Sequence, residues 1–97
     1  MKQLITAALL TLAVTGAYAN DKAAGQCAAL LFVKDASAGA QQAINSASNK
    51  PLAQNHATTW IRQLAANKSN RSIVDSMTWE AVSSCRKIGM RASDYIR

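Results

Sequence analysis

Residues 27–39 read Cys27-Ala28-Ala29-Leu30-Leu31-Phe32-Val33-Lys34-Asp35-Ala36-Ser37-Ala38-Gly39. The way this stretch is divided sets the number of helices in the chain. Ala28 to Val33 is apolar at every position, so a helix here offers no polar face to water. Lys34 to Gly39 then interrupts the pattern: Asp35 or Ser37 can cap a new helix, and Gly39 weakens continuation of an old one. The two cysteines, Cys27 and Cys85, argue for a break. A disulfide needs its Cα atoms roughly 5.5–6 Å apart. In an up-and-down bundle of three helices the first starts at one end and the last finishes at the other, which separates the pair. An even number of helices brings the chain back to its starting end. The expected architecture is therefore all-α: a small antiparallel bundle of about four short helices closed by one disulfide, with helices at 21–34, 37–48, 51–68 and 72–88.

The flanking sequence supports that division. Alanine is abundant and β-branched alternation is nearly missing, which favours helix over strand. Pro51 follows Ser48-Asn49-Lys50 and marks a helix start. Ala53, Ala57, Trp60, Ile61 and Leu64 then recur on one face. In the last helix Ile73, Val74, Met77, Ala81, Cys85 and Ile88 form a stripe at helical spacing. Ser72 with Asp75 resembles a capping box, and Gly89 stands where a helix stops.

The two ends carry a second kind of information. Lys2 and the apolar run Leu4–Val14, followed by Ala17-Tyr18-Ala19, have the form of a cleaved signal peptide over residues 1–19. The apolar run falls short of the ~20 residues a membrane span requires, and residues 20–97 hold no such run. The expectation is an exported, periplasmic or secreted, single helical domain over 20–97. In an oxidising compartment two cysteines default to an intramolecular disulfide, with an intermolecular bridge or a metal pair as the other readings. The whole chain has a formal net charge of +6, and loss of Lys2 lowers it by one. Such a surface favours an anionic envelope surface or an acidic protein, whereas export removes nucleic acid as a partner.

Three groups of residues stand out as candidate sites. Leu31, Phe32 and Val33 are either the core of a wrapped bundle or an exposed apolar patch. So small a domain needs them for its core, with Phe32 and Val33 the residues left outside. Trp79 lies opposite the inward stripe of its helix, beside Asp75, Ser83 and Arg86, a composition typical of interaction hot spots. Arg91 and Tyr95 extend that surface, unless the tail folds back and covers Trp79. Arg86, Lys87, Arg91 and Arg97 make the C-terminus basic; they suit phosphate or an acidic partner, and equally a helix C-terminus and a solvated tail.

Enzyme chemistry has little to build on. The carboxylates Asp21, Asp35, Asp75, Glu80 and Asp94 are dispersed, with no paired spacing for acid–base work. The lone His56 has no nucleophile motif beside it, and no phosphate-cradling glycine loop occurs. One histidine cannot complete a zinc site, and Met77 and Met90 are too few for copper, so neither metal nor cofactor is expected. The residues lead to a non-catalytic module that binds a protein or the envelope surface through Trp79, Arg86, Arg91 and Tyr95. A stress holdase exposing the Leu31–Val33 face is the second reading. A carrier holding a small ligand near Trp60 and His56 is the third.

Overall fold

The computed structural model describes residues 20–96. The signal-peptide reading of residues 1–19 lies outside the described residues, and so does Arg97. All regular structure among the described residues is helical: α1 over residues 20–33, α2 Ser37–Asn45, α3 Lys50–Ala66, α4 Arg71–Lys87 and a 3₁₀ turn Ala92–Asp94. The division at the Lys34–Ala36 stretch is present, and Cys27 and Cys85 are joined in a buried disulfide with Cα atoms 4.7 Å apart. Such a bond is compatible with an oxidising, exported location. No described helix is long and apolar enough to cross a membrane.

The break is made differently from the way the residues suggested. Asp35 does not cap α2; it takes a left-handed conformation (φ 63°) just past α1 and ends that helix. The Ala36 N–H donates to the Leu31 carbonyl at 2.8 Å and the Asp35 N–H to the Phe32 carbonyl at 3.1 Å. This pair of bonds satisfies carbonyls that the end of a helix otherwise leaves open, and an aspartate tolerates the left-handed region better than most residues. Ser37 is not the cap either, because Ala36 holds the N-cap position of α2 and no side chain bonds there. Gly39 lies inside α2. Its missing side chain makes room for the Tyr95 ring: a Cβ at this position would stand 2.7 Å from Tyr95 Cδ1.

One other cap departs from expectation, and the start of α3 agrees with it. The Asn70 Oδ1, not Ser72, caps α4 by accepting from the Ile73 N–H at 3.3 Å. In α3 the Asn49 Oδ1 accepts from the Leu52 N–H at 3.1 Å, and Pro51 stands in the first turn, where its lost N–H costs nothing. α2 stops at Asn45, short of residue 48, because its connection is captured from a distance. The buried carboxylate of Asp21 accepts the Ser48 N–H at 2.8 Å and the Asn49 N–H at 3.2 Å. The Ile44 carbonyl is then taken by the Ala47 N–H instead. Gly89 closes α4 as expected, at φ 79°, with the Met90 N–H bonded to the Cys85 carbonyl at 2.9 Å.

The core forms around α1. Ala23, Ala24, Cys27, Ala28, Ala29, Leu30 and Leu31 are all buried, so this helix is enclosed around most of its circumference. Ala43 and Ile44 of α2, Ala53 and Trp60 of α3 and Ala81 and Cys85 of α4 pack against it. Gly25 permits a close approach of α1 to α3, since a Cβ there would overlap the Ala53 carbonyl oxygen and lie 2.6 Å from His56 Cβ. The seam between α1 and α4 carries a short polar chain beside the disulfide. Ser84 Oγ donates to Gln26 Oε1 at 2.6 Å, and Gln26 Nε2 donates to Glu80 Oε1 at 2.9 Å. Buried amides of this kind need such partners, and here one glutamine satisfies both of its ends.

Candidate partner-binding site

Trp79 is set by the same stripe that buries Cys85. Ala81 and Cys85 point into the core, so a residue at position 79 must face away, and its indole is 69% exposed. Val82 and Arg86, three and seven positions on, share that outer face. Thr78, Trp79, Val82 and Arg86 line a shallow depression of about 190 Å³. Val82 and Arg86 also form one wall of a larger groove of about 810 Å³, whose other wall is Arg91, Ala92, Ser93 and Ile96. The two hollows therefore make one continuous surface running from the middle of α4 to the C-terminal turn.

The chemistry of this surface is uniform. Its floor is aliphatic, from Val82, Ala92 and Ile96, and its charged lining residues are the arginines Arg86 and Arg91. Neither guanidinium makes an ion pair or a hydrogen bond among the described residues. Arg86 and Lys87 lie in the last turn of α4, where the carbonyl end of the helix favours cations. Arginine presents a planar fork of donors that matches carboxylate and phosphate groups, so two guanidinium groups beside an aliphatic floor suit an anion with an apolar part.

Of the residues expected to bind a partner, the structure brings Trp79, Arg86 and Arg91 together. Tyr95 does not join them. Its ring lies over Gly39 and Leu31 on the α2 side, and its hydroxyl donates to Gln42 Oε1 at 3.1 Å. The tail turns this way because the 3₁₀ turn anchors Ala92 in the core and throws Tyr95 past it. Trp79 is consequently left uncovered, with Val82, which the residue pattern does not single out, beside it and Ile96 of the tail on the adjoining groove instead of over the indole. The 3.6-residue period alone carried the signal for Val82. Ile96 depends on the turn of the tail, which no local pattern announces.

The apolar patch also divides. Leu31 is fully buried and drops out of it, because it packs beneath Gly39 and its carbonyl closes the end of α1. Phe32 and Val33 do lie outside, 60% and 36% exposed. Trp60 is 4% exposed and half-buried His56 lies beside it; with Lys22, Gln26, Gln63 and Glu80 they line a polar hollow of about 280 Å³. The Trp60 indole nitrogen is buried and meets no acceptor among the described residues. Met77 is half-buried and Met90 buried, both in core contacts. No three His, Cys, Asp or Glu side chains gather into a metal-sized cluster among the described residues. Neither a protein-family model nor any curated protein or solved structure matches this chain.

Proposed function

We propose that the chain is a small exported, non-catalytic module, a single domain over residues 20–97 behind a cleaved signal peptide, with its helices running antiparallel. It binds a protein or the envelope surface through the face built by Trp79, Val82, Arg86 and Arg91. The observation that carries this reading is the exposed Trp79 indole, continuous with a groove whose guanidinium groups have no partner among the described residues. Exposing a tryptophan forfeits the largest apolar burial a side chain offers, and Trp and Arg are the residues that dominate interface energetics. Two arginines select an anionic partner and speed its approach.

The test is capture from a total envelope extract with the oxidised protein, alongside flotation with anionic and zwitterionic vesicles. Trp79→Ala and Arg86→Ala are the controls. A partner or an anionic membrane bound by the parent and lost by both variants supports the reading. Equal binding by parent and variants overturns it.

A holdase is the second reading, favoured by the exposed Phe32 and Val33 at the end of α1. It differs in an observable: a hydrophobic dye should report a sharp rise in exposed apolar surface on acidification, whereas a binding module holds its signal.

A further inference from the structure

A separate cleft lies between α1, α2 and α3, remote in sequence from the α4 surface. Its floor is Ala28, Ala29, Ala40 and Ile44, all buried, and Phe32, Ala57 and Ile61 complete its apolar walls. The cavity volume is about 500 Å³. It exists because alanines meet where three helices converge, and a methyl group does not fill the space between helix axes spaced by larger side chains. The 60% exposed ring of Phe32 stands beside this space without filling it.

Among the described residues the lining is free of charge, in a protein of net charge +6. Its polar members are Ser37, Gln41, Gln54 and Thr58. Two of these are already engaged locally: Thr58 Oγ1 donates to the Gln54 carbonyl and Gln41 Nε2 to Asn45 Oδ1. No cation is present in the lining to hold an acidic headgroup, and no acid to hold a basic one. The size is that of a small-molecule pocket, typically about 300–1,000 Å³. A docked helix fits it poorly. With side chains a helix is about 10 Å across with a 5.4 Å pitch, so one turn occupies roughly 420 Å³. Helix-in-groove docking uses anchors at i, i+3 or i+4, and i+7, which spread over about two turns. A single flexible chain of methylenes meets none of these limits.

We infer that this cleft binds one alkyl chain of an uncharged single-chain amphiphile, with the headgroup left in water at the Gln41–Gln54–Thr58 rim. The site is distinct from the α4 surface and does not depend on it. The probe is octyl glucoside below its micelle concentration, added to the full-length, disulfide-closed protein and followed by amide chemical shifts, with glucose as the control for the headgroup. Saturable shifts should centre on Ala28, Phe32, Ala40 and Ala57, and glucose should produce none. Thr58→Trp, at an exposed rim position of α3, should cover the cleft and weaken binding at least tenfold. Ala57→Leu should do the same by filling it, and Trp79→Ala should leave the affinity unchanged. Octyl glucoside that fails to saturate, that binds Thr58→Trp as well as the parent, or that shifts residues around Trp79 instead, overturns the inference. Thr58→Trp keeps the test decisive if Ala57→Leu is too crowded to fold.

Discussion

α1 and α4 are joined by the same disulfide, yet they are built on opposite plans. From Ala23 to Leu31, α1 buries nearly every side chain, most of them small, and is surrounded by the other three helices. α4 buries a stripe through Ala81, Ser84 and Cys85 and leaves Ile73 and Trp79 in solvent. A helix enclosed around most of its circumference has little outer surface to offer a macromolecular partner, because most changes in volume are felt by a neighbour. A helix with one buried stripe has an outer face on which composition is free. On this contrast, substitutions in the buried part of α1 should register as loss of stability, and those on the outer face of α4 as loss of the proposed binding.

The largest effect belongs to the bond that links the two helices. Cys85→Ser opens a loop with a sequence separation of 58 residues, worth roughly 4 kcal/mol in the chain-entropy model. For a domain this small that corresponds to a fall in Tm on the order of 20 °C. Calorimetry and non-reducing gel mobility both read it, and an unchanged Tm breaks the assignment of the disulfide as a main stabiliser. Next is Gly25→Ala on α1. Alanine gains up to ~1 kcal/mol of helix propensity over glycine, but its methyl would overlap the Ala53 carbonyl oxygen and crowd His56. The helices must separate, and a net loss of about 2–3 kcal/mol is expected by denaturant titration. A neutral or stabilising Gly25→Ala would show that α1 is not as tightly enclosed as its burial implies.

Asp21→Ala comes third. It removes the acceptor for the Ser48 and Asn49 N–H groups, and bonds to a charged group are worth about 1.5–3 kcal/mol. The two N–H groups belong to exposed residues and can bond water instead, so a loss of about 2 kcal/mol is expected, with hydrogen exchange speeding up first at residues 48 and 49. Trp79→Ala is the smallest in stability and sharpens the contrast most. Surface changes of this kind stay within about 0.5 kcal/mol, so Tm should hold while partner binding falls. A drop in Tm comparable to that of Gly25→Ala would mean that Trp79 is part of the packing after all.

Much of the fold is legible in local pattern. The break before Ser37, the Pro51 start, the Gly89 stop and the pairing of Cys27 with Cys85 follow from residue chemistry. The exposure of Trp79 follows from the helical period, and that of Phe32 and Val33 from an apolar stretch too long for one helix to hide whole. What local pattern misplaces is the identity of the capping groups. Asp35, Ser37, Asn70 and Ser72 are all acceptable near a helix end, and differences of a few tenths of a kcal/mol do not choose among them. The position of Tyr95 is missed for a different reason. A short tail with two apolar residues can pack on either side of the last helix, and the vacancy that admits its ring is the missing Cβ of Gly39, far away in the chain.

Helical class, the division into short helices, the closing disulfide and the outward direction of Trp79 are legible in the chain alone, because each depends on neighbours within a turn or two or on there being two cysteines to pair. Packing of the whole molecule settles that Asp21 holds the α2–α3 connection, that Gly25 and Ala53 come into close contact, that Tyr95 turns away from Trp79, and that alanines leave a neutral cleft beside Phe32. These are contacts between residues dozens of positions apart. They depend on which faces of the helices meet, and side-chain volume settles that only when all the helices pack at once.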